Sequence, residues 1–162
     1  MLGFLLRKAK SMSKSTQAYP DKNSIYPIPD VTRTCFLKNI ISHPQIIIGD
    51  DTYYDDPDDI HHFKKNVLYL FDFMQDQLII GKFCQIASGV RFIMNGSNHA
   101  MNGISTYPFK VFGKDWSSAS INVVSKGNTV IGHDVWLGNS ARIMQGVNIG
   151  HGAIIGTNAL SH

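Results

Sequence analysis

From Ile131 to Leu160 an aliphatic residue returns at every sixth position without a gap. The run divides into IGHDVW, LGNSAR, IMQGVN, IGHGAI and IGTNAL. Its first positions are Ile131, Leu137, Ile143, Ile149 and Ile155; its fifth are Val135, Ala141, Val147, Ala153 and Ala159. Gly holds the second position in four of the five hexads. A six-residue period with a large aliphatic and a small residue at fixed places predicts short parallel strands joined by corners. Three strands close one triangular coil of roughly eighteen residues, and successive coils stack at a strand spacing of ~4.8 Å. The large side chains fill the interior, the small ones fit at the corners, and Gly and Asn supply corner backbone that a β-branched residue resists.

The same rule holds upstream in IGKFCQ from Ile80 and IASGVR from Ile86, and a further rung begins at Ile48 with IGDDTY. Ordinary buried strands of an α/β fold are the competing reading, and gap-free hexads with matched sizes at two positions argue against it. Between the repeat blocks an excursion runs from about Phe92 to Gly127, carrying NGSNHAMNG and STYPFKVFGKDW. It is too long for a turn and too aromatic for a linker, and an arm on a rigid stack is a usual seat for chemistry. A shorter excursion is expected from Tyr53 to Gln77. Residues 21–162 then form one all-β domain, a parallel β-helix with a long excursion loop over about 92–127.

Composition changes this picture little. All twelve acidic residues are Asp, which favours turns and caps over helix interiors. Fifteen basic against twelve acidic side chains leave a net charge of +3. That excess suits a phosphorylated ligand and falls well short of a nucleic-acid footprint. No apolar run approaches the length of a membrane span, so neither nucleic acid nor membrane is expected as a partner. Cys35 and Cys84 build no disulfide framework, and a reduced, cytoplasmic protein is the natural reading. Residues 1–20 form a basic leader: Arg7, Lys8, Lys10 and Lys14 come with no acid before Asp21. Its charges follow the apolar LGFLL rather than precede it, which argues against a secretory signal. A disordered tail is the favoured reading and a mitochondrial-type presequence the other.

Candidate chemistry concentrates in few places. His99 stands among Asn95, Asn98 and Asn102. An imidazole can take a proton from a hydroxyl while that hydroxyl attacks a thioester, and neighbouring amides can orient it or bind the acceptor. A loop His taken alone is more often a bystander. His133 and His151 stand eighteen residues apart, both third in their hexads, and should stack on adjacent coils. Stacked imidazoles can share a metal in a hydratase-type site, but no third ligand matches them and no metal is expected. Trp136, last in its hexad, points outward to a flat ligand or another subunit. Gly138 and Gly156 leave backbone amides open to a phosphate or pantetheine, unless they only serve the corners.

The run IIGKFCQIASGVRFIMNGSNHAMNGISTYPFKVFG, followed by GNTVIGHDVWLGNSARIMQGVNIGHGAIIGTNAL, resembles the xenobiotic acetyltransferases of bacteria. Within them it most resembles the streptogramin A (virginiamycin) acetyltransferases, with the hexapeptide-type chloramphenicol acetyltransferases as near relatives. The resemblance implies a left-handed β-helix and a homotrimer with active sites in clefts between subunits. It implies His99 as general base in direct transfer from acetyl-CoA to a hydroxylated small molecule. Tyr53, Phe71 and Asn98 would serve the acceptor, and Trp136, Gly138 and Gly156 the CoA groove. Phe71 replaces an aromatic hydroxyl often present in the streptogramin enzymes. In the family the coils continue through a GNPA-type turn to a capping helix, whereas this sequence stops at Leu160-Ser161-His162. The expectation is a truncated copy lacking its C-terminal coils and cap, with a non-catalytic trimeric remnant as the alternative.

Overall fold

The computed structural model describes residues 20–120 and 124–162. The basic leader expected over 1–20 lies outside the described residues except for Pro20. The described chain winds into a three-walled prism. Its strands are β1 (Thr34–Phe36), β2 (Ile46–Ile48), β3 (Tyr53–Asp55), β4 (Val67–Leu68), β5 (Leu78–Ile80), β6 (Gln85–Ile86) and β7 (Arg91–Ile93). After the arm follow β8 (Thr129–Ile131), β9 (Trp136–Leu137), β10 (Arg142–Ile143), β11 (Asn148–Ile149), β12 (Ile154–Ile155) and β13 (Leu160–Ser161). One wall, here the Trp136 wall, runs β1-β3-β6-β9-β12; the Arg142 wall runs β4-β7-β10-β13; the Ile131 wall runs β2-β5-β8-β11.

Neighbouring strands pair in parallel, one coil apart, with a single exception. β1 lies antiparallel on β3 and so covers the lower edge of the Trp136 wall. A covered edge presents no free row of backbone donors and acceptors.

The first hexad positions point inward as the period predicts. Ile48, Ile80, Ile131 and Ile149 stack in register along one wall, and Tyr54, Ile86, Leu137 and Ile155 along another. All of these are buried except the half-buried Ile155. Each buried aliphatic side chain contributes about 1.5–3 kcal/mol of transfer free energy, so this column is the main cohesive element of the fold. The expected excursion from Tyr53 to Gln77 is instead interrupted by β4, which keeps its place in the Arg142 wall. Its first half, 56–66, contains a 3-10 turn that sends Ile60 and Phe63 into the core, with Phe63 edge-on to Tyr54.

The corners depart from the expectation that second-position glycines supply unusual backbone. Positive φ belongs to the fourth position: Asp51, Phe83, Gly89, Asp134, Ser140, Gly146, Gly152 and Asn158 all lie between +55° and +75°. That left-handed conformation suits Gly, Asn and Asp, and a bulky side chain adopts it at a cost. The second-position glycines serve stacking. A Cβ on Gly49 would stand 2.5 Å from the carbonyl carbon of Gly81 and 2.6 Å from the Lys82 nitrogen on the coil above. On Gly132 it would stand 2.8 Å from the His151 nitrogen.

Two opposite mutational outcomes follow. Gly49→Ala should cost about 1–3 kcal/mol through overpacking against backbone that cannot yield, read as a lower urea midpoint. Phe83→Asn removes a bulky, exposed side chain from a position at φ +60° and should gain about 1 kcal/mol. An unchanged midpoint in Gly49→Ala would contradict the stacking role of that glycine.

Candidate functional site

The structure gathers the candidate residues at two separate places on the prism. The first is the outer surface of the Trp136 wall. Tyr53, Gln85, Trp136 and Ile154 occupy one outward column in register, because each is the last residue of its six-residue rung. Tyr53 and Trp136 are thus two rungs, or about 10 Å, apart. Trp136 and Ile154 stand largely exposed, at 49% and 68%. A cleft of about 500 Å³ opens over this column, and Pro20, Pro27 and Ile28 supply its lip from the N-terminal segment. Asp55 lies in it, held by the forked guanidinium of Arg33 at 2.8 and 2.6 Å and by the Thr34 hydroxyl at 2.9 Å. The hydrogen bonds from Arg33 hold the Asp55 carboxyl below the ordinary carboxylate range, against the opposing pull of partial burial.

The second place is the edge where the Arg142 wall meets the Ile131 wall, opposite the Trp136 wall. Three links turn this edge on successive coils: 69–77, the arm 94–128, and 144–147. Phe71 comes from the first, Asn98 and His99 from the second. Phe71 stacks on Phe73 with ring centroids 5.3 Å apart and lies flush against Gly96, where a Cβ would strike its ring. Asn98 donates to the Val124 carbonyl at 3.1 Å, tying the outgoing limb of the arm to the returning one. His99 is exposed, and its Nδ1 lies 2.9 Å from the Thr106 carbonyl oxygen. A carbonyl only accepts, so Nδ1 carries a proton, and in the neutral ring the lone pair lies on Nε2.

Within one chain, then, His99, Asn98 and Phe71 share one edge, and Tyr53 and Trp136 share the cleft of the opposite wall. Gly138 has a stacking reason to be glycine, since a Cβ there would stand 2.7 Å from the Thr157 nitrogen. Gly156 holds the same second position one coil further on. His133 and His151 do stack, with centroids 4.7 Å apart. Each Nδ1, however, accepts a backbone N–H from the coil below, His133 from Lys82 at 2.9 Å and His151 from His133 at 2.7 Å. These imidazoles cap corner donors. Among the described residues no three His, Cys or Asp side chains converge as metal ligands.

Several site residues were not anticipated. Gln85 forms the floor between Tyr53 and Trp136, and aligning the sixth positions of the rungs would have found it. Asp76 and Gln145, also unanticipated, secure the root of the arm through Asn95 and Asn98, whose amides the sequence already placed beside His99. Their roles depend on long-range contacts that carry no local pattern.

Comparison with known proteins agrees with this geometry. Residues 128–160 match the bacterial transferase hexapeptide (six repeats) family model. Over 100 residues the chain is 52% identical to a probable macrolide acetyltransferase of Lysinibacillus sphaericus, covering 60% of this chain and 56% of that protein. It is 40% identical over 128 residues to a chloramphenicol acetyltransferase of Agrobacterium fabrum, covering 76% and 61%. A virginiamycin A acetyltransferase of Staphylococcus aureus is 43% identical over 97 residues, covering 60% and 43%. The chain therefore spans between two fifths and three fifths of the length of these relatives. The prism is the left-handed parallel β-helix of the hexapeptide-repeat class. The chain is a relative of the xenobiotic acetyltransferases within that class. Among the described residues no helix is long and apolar enough to cross a membrane.

The Asp55 anchor carries a pH signature. Its depressed carboxyl stabilises the fold fully above the ordinary Asp value of about 3.9, and this contribution is lost as pH falls through the depressed value. Arg33→Gln should therefore lower Tm at neutral pH, and the gap to the wild type should close on acidification. A gap independent of pH would contradict the ion pair as its source.

Proposed function

We propose that this chain is an acetyl-CoA-dependent O-acetyltransferase subunit that acts on a hydroxylated, antibiotic-like small molecule of the streptogramin A class. The observation that carries the reading is the fixed tautomer of His99. With Nδ1 held by the Thr106 carbonyl, Nε2 is free to accept a proton. It takes the proton of the acceptor hydroxyl as that oxygen bonds to the thioester carbonyl carbon. The carbon–sulfur bond then breaks, and the same nitrogen returns the proton to the departing thiolate. Acetyl ester and CoA thiol are the products, with no acyl group passing through the protein.

The separation of the two clusters favours a site shared between copies. A second copy that set its Trp136 wall against the His99 edge of the first would unite general base and cleft. A ring of such head-to-tail contacts closes as a homotrimer. The surfaces fit the acyl donor, since Trp136 presents an exposed indole for a flat or extended ligand. Tyr53 and Gln85 from the cleft, with Phe71 and Asn98 from the edge, would enclose the acceptor. The names of the relatives support an antibiotic acceptor. Those that align over 76% of this chain are named for chloramphenicol, which makes a chloramphenicol-type acceptor the second reading.

Thiol release from acetyl-CoA, measured against a streptogramin A, a macrolide and chloramphenicol, tests the reading. Turnover is expected with the streptogramin. His99→Ala should lower kcat by about 10²–10⁴-fold, the usual span for a general base, and leave the KM for acetyl-CoA unchanged. Wild-type kcat in that variant would overturn the assignment of His99.

A further inference from the structure

We propose that Gln145 is a positioning residue for His99, acting through Asn98; this rests on the acetyltransferase reading for its catalytic meaning. In the five hexads from Ile131 the third positions are His133, Asn139, Gln145, His151 and Thr157. Four of these are exposed and Gln145 is buried, at 7%. Burial follows from the arm, whose root lies against this corner. The Gln145 Nε2 donates to the Asn98 Oδ1 at 2.5 Å, and its Oε1 is buried without a partner. An unpartnered buried carbonyl carries an uncompensated desolvation cost. A side chain selected for packing alone would not carry that cost, so the one hydrogen bond it makes is the reason for an amide here.

That bond heads a one-way chain. Gln145 donates to Asn98, Asn98 Nδ2 donates to Asn95 Oδ1 at 3.3 Å, and Asn95 Nδ2 donates to Asp76 Oδ2 at 2.9 Å. Asp76 Oδ2 accepts from both the backbone and the side-chain amide of Asn95, and Asn95 is also fixed by the Lys126 nitrogen and the Gly127 carbonyl. Asp76 and the Gly127 and Val124 carbonyls can only accept, so they fix how Asn95 and Asn98 face. With the Asn98 NH2 on Asn95 and Val124, its oxygen faces the coil above, and the Gln145 donor is what holds it there. The residue after Asn98 is His99. Holding Asn98 to the coil above and to the returning limb keeps the imidazole within reach of Thr106, which in turn selects the neutral tautomer whose lone pair lies on Nε2.

Gln145→Met retains the length and removes the donor. Nitrogen-15 spectra of the His99 ring in the full chain should show the Nδ1–H tautomer in the wild type and a mixture in the variant. The kcat should fall about 10- to 100-fold, the scale of a small misplacement at a reacting group, with the KM for acetyl-CoA unchanged and Tm nearly so. Gln145→Glu, which puts an acceptor against an acceptor, should disturb the ring more than Gln145→Met. If Gln145→Met melts too low to assay, Asn98→Asp, which removes the donor tying Asn98 to Asn95 and Val124, is read by the ring spectrum alone, because Asn98 also faces the acceptor in the proposed reading. A wild-type ring spectrum and wild-type kcat in these variants would overturn the proposal, as would a wild-type ring that lacks the Nδ1–H tautomer. If the wild-type chain releases no thiol with any acceptor, the acetyltransferase reading fails, and the ring spectra alone then decide the role of Gln145.

Discussion

The close stacking of one coil's backbone on the next is the constraint on which this structure depends. Each wall is a ladder of two- and three-residue strands, too short to persist alone, and only the coils above and below supply their partners. The aliphatic columns drive that stacking through burial, while the second-position glycines permit it by leaving no Cβ between coils. Left-handed backbone at the fourth position turns each corner at the same place in every hexad. Because all three devices share the six-residue period, outward side chains fall into columns as regular as the inward ones.

Regular outward columns turn a rigid scaffold into a template. Tyr53, Gln85 and Trp136 come from three rungs up to 83 positions apart in sequence, yet they line one cleft. The arm is the deliberate break in this regularity. Its root is gripped from the coil below by Asp76 and from the coil above by Gln145, so a 35-residue link starts and ends in fixed geometry. In the proposed reading, the prism then separates two half-sites by the width of its own interior. Two copies are needed to join them.

Much of this was legible in the sequence, and for a physical reason. The inward column demands aliphatic residues at fixed spacing, so Ile131, Leu137, Ile143 and Ile149 announce the walls directly. The arm was legible as an interruption of that period. The corner chemistry was only half legible: glycine at the second position signalled a constraint, but the constraint is stacking, and Phe83 conceals the left-handed fourth position by not being glycine or asparagine. His133 and His151 were legible as a stack, whereas their capping of Lys82 and His133 amides depends on ring orientation. Asp76 and Gln145 were illegible because their meaning lies in partners 19 and 47 positions away.

The central claim is that catalysis joins the His99 edge of one copy to the Trp136 wall of another. Complementation between two crippled chains measures this directly. His99→Ala and Trp136→Ala proteins, each nearly inactive at low acetyl-CoA, would be unfolded, mixed in equal amounts and refolded together. Random assembly of a head-to-tail ring places intact halves at about a quarter of its interfaces, so thiol release should recover to about that fraction of the wild type. Activity no greater than the sum of the two parents would contradict a shared site.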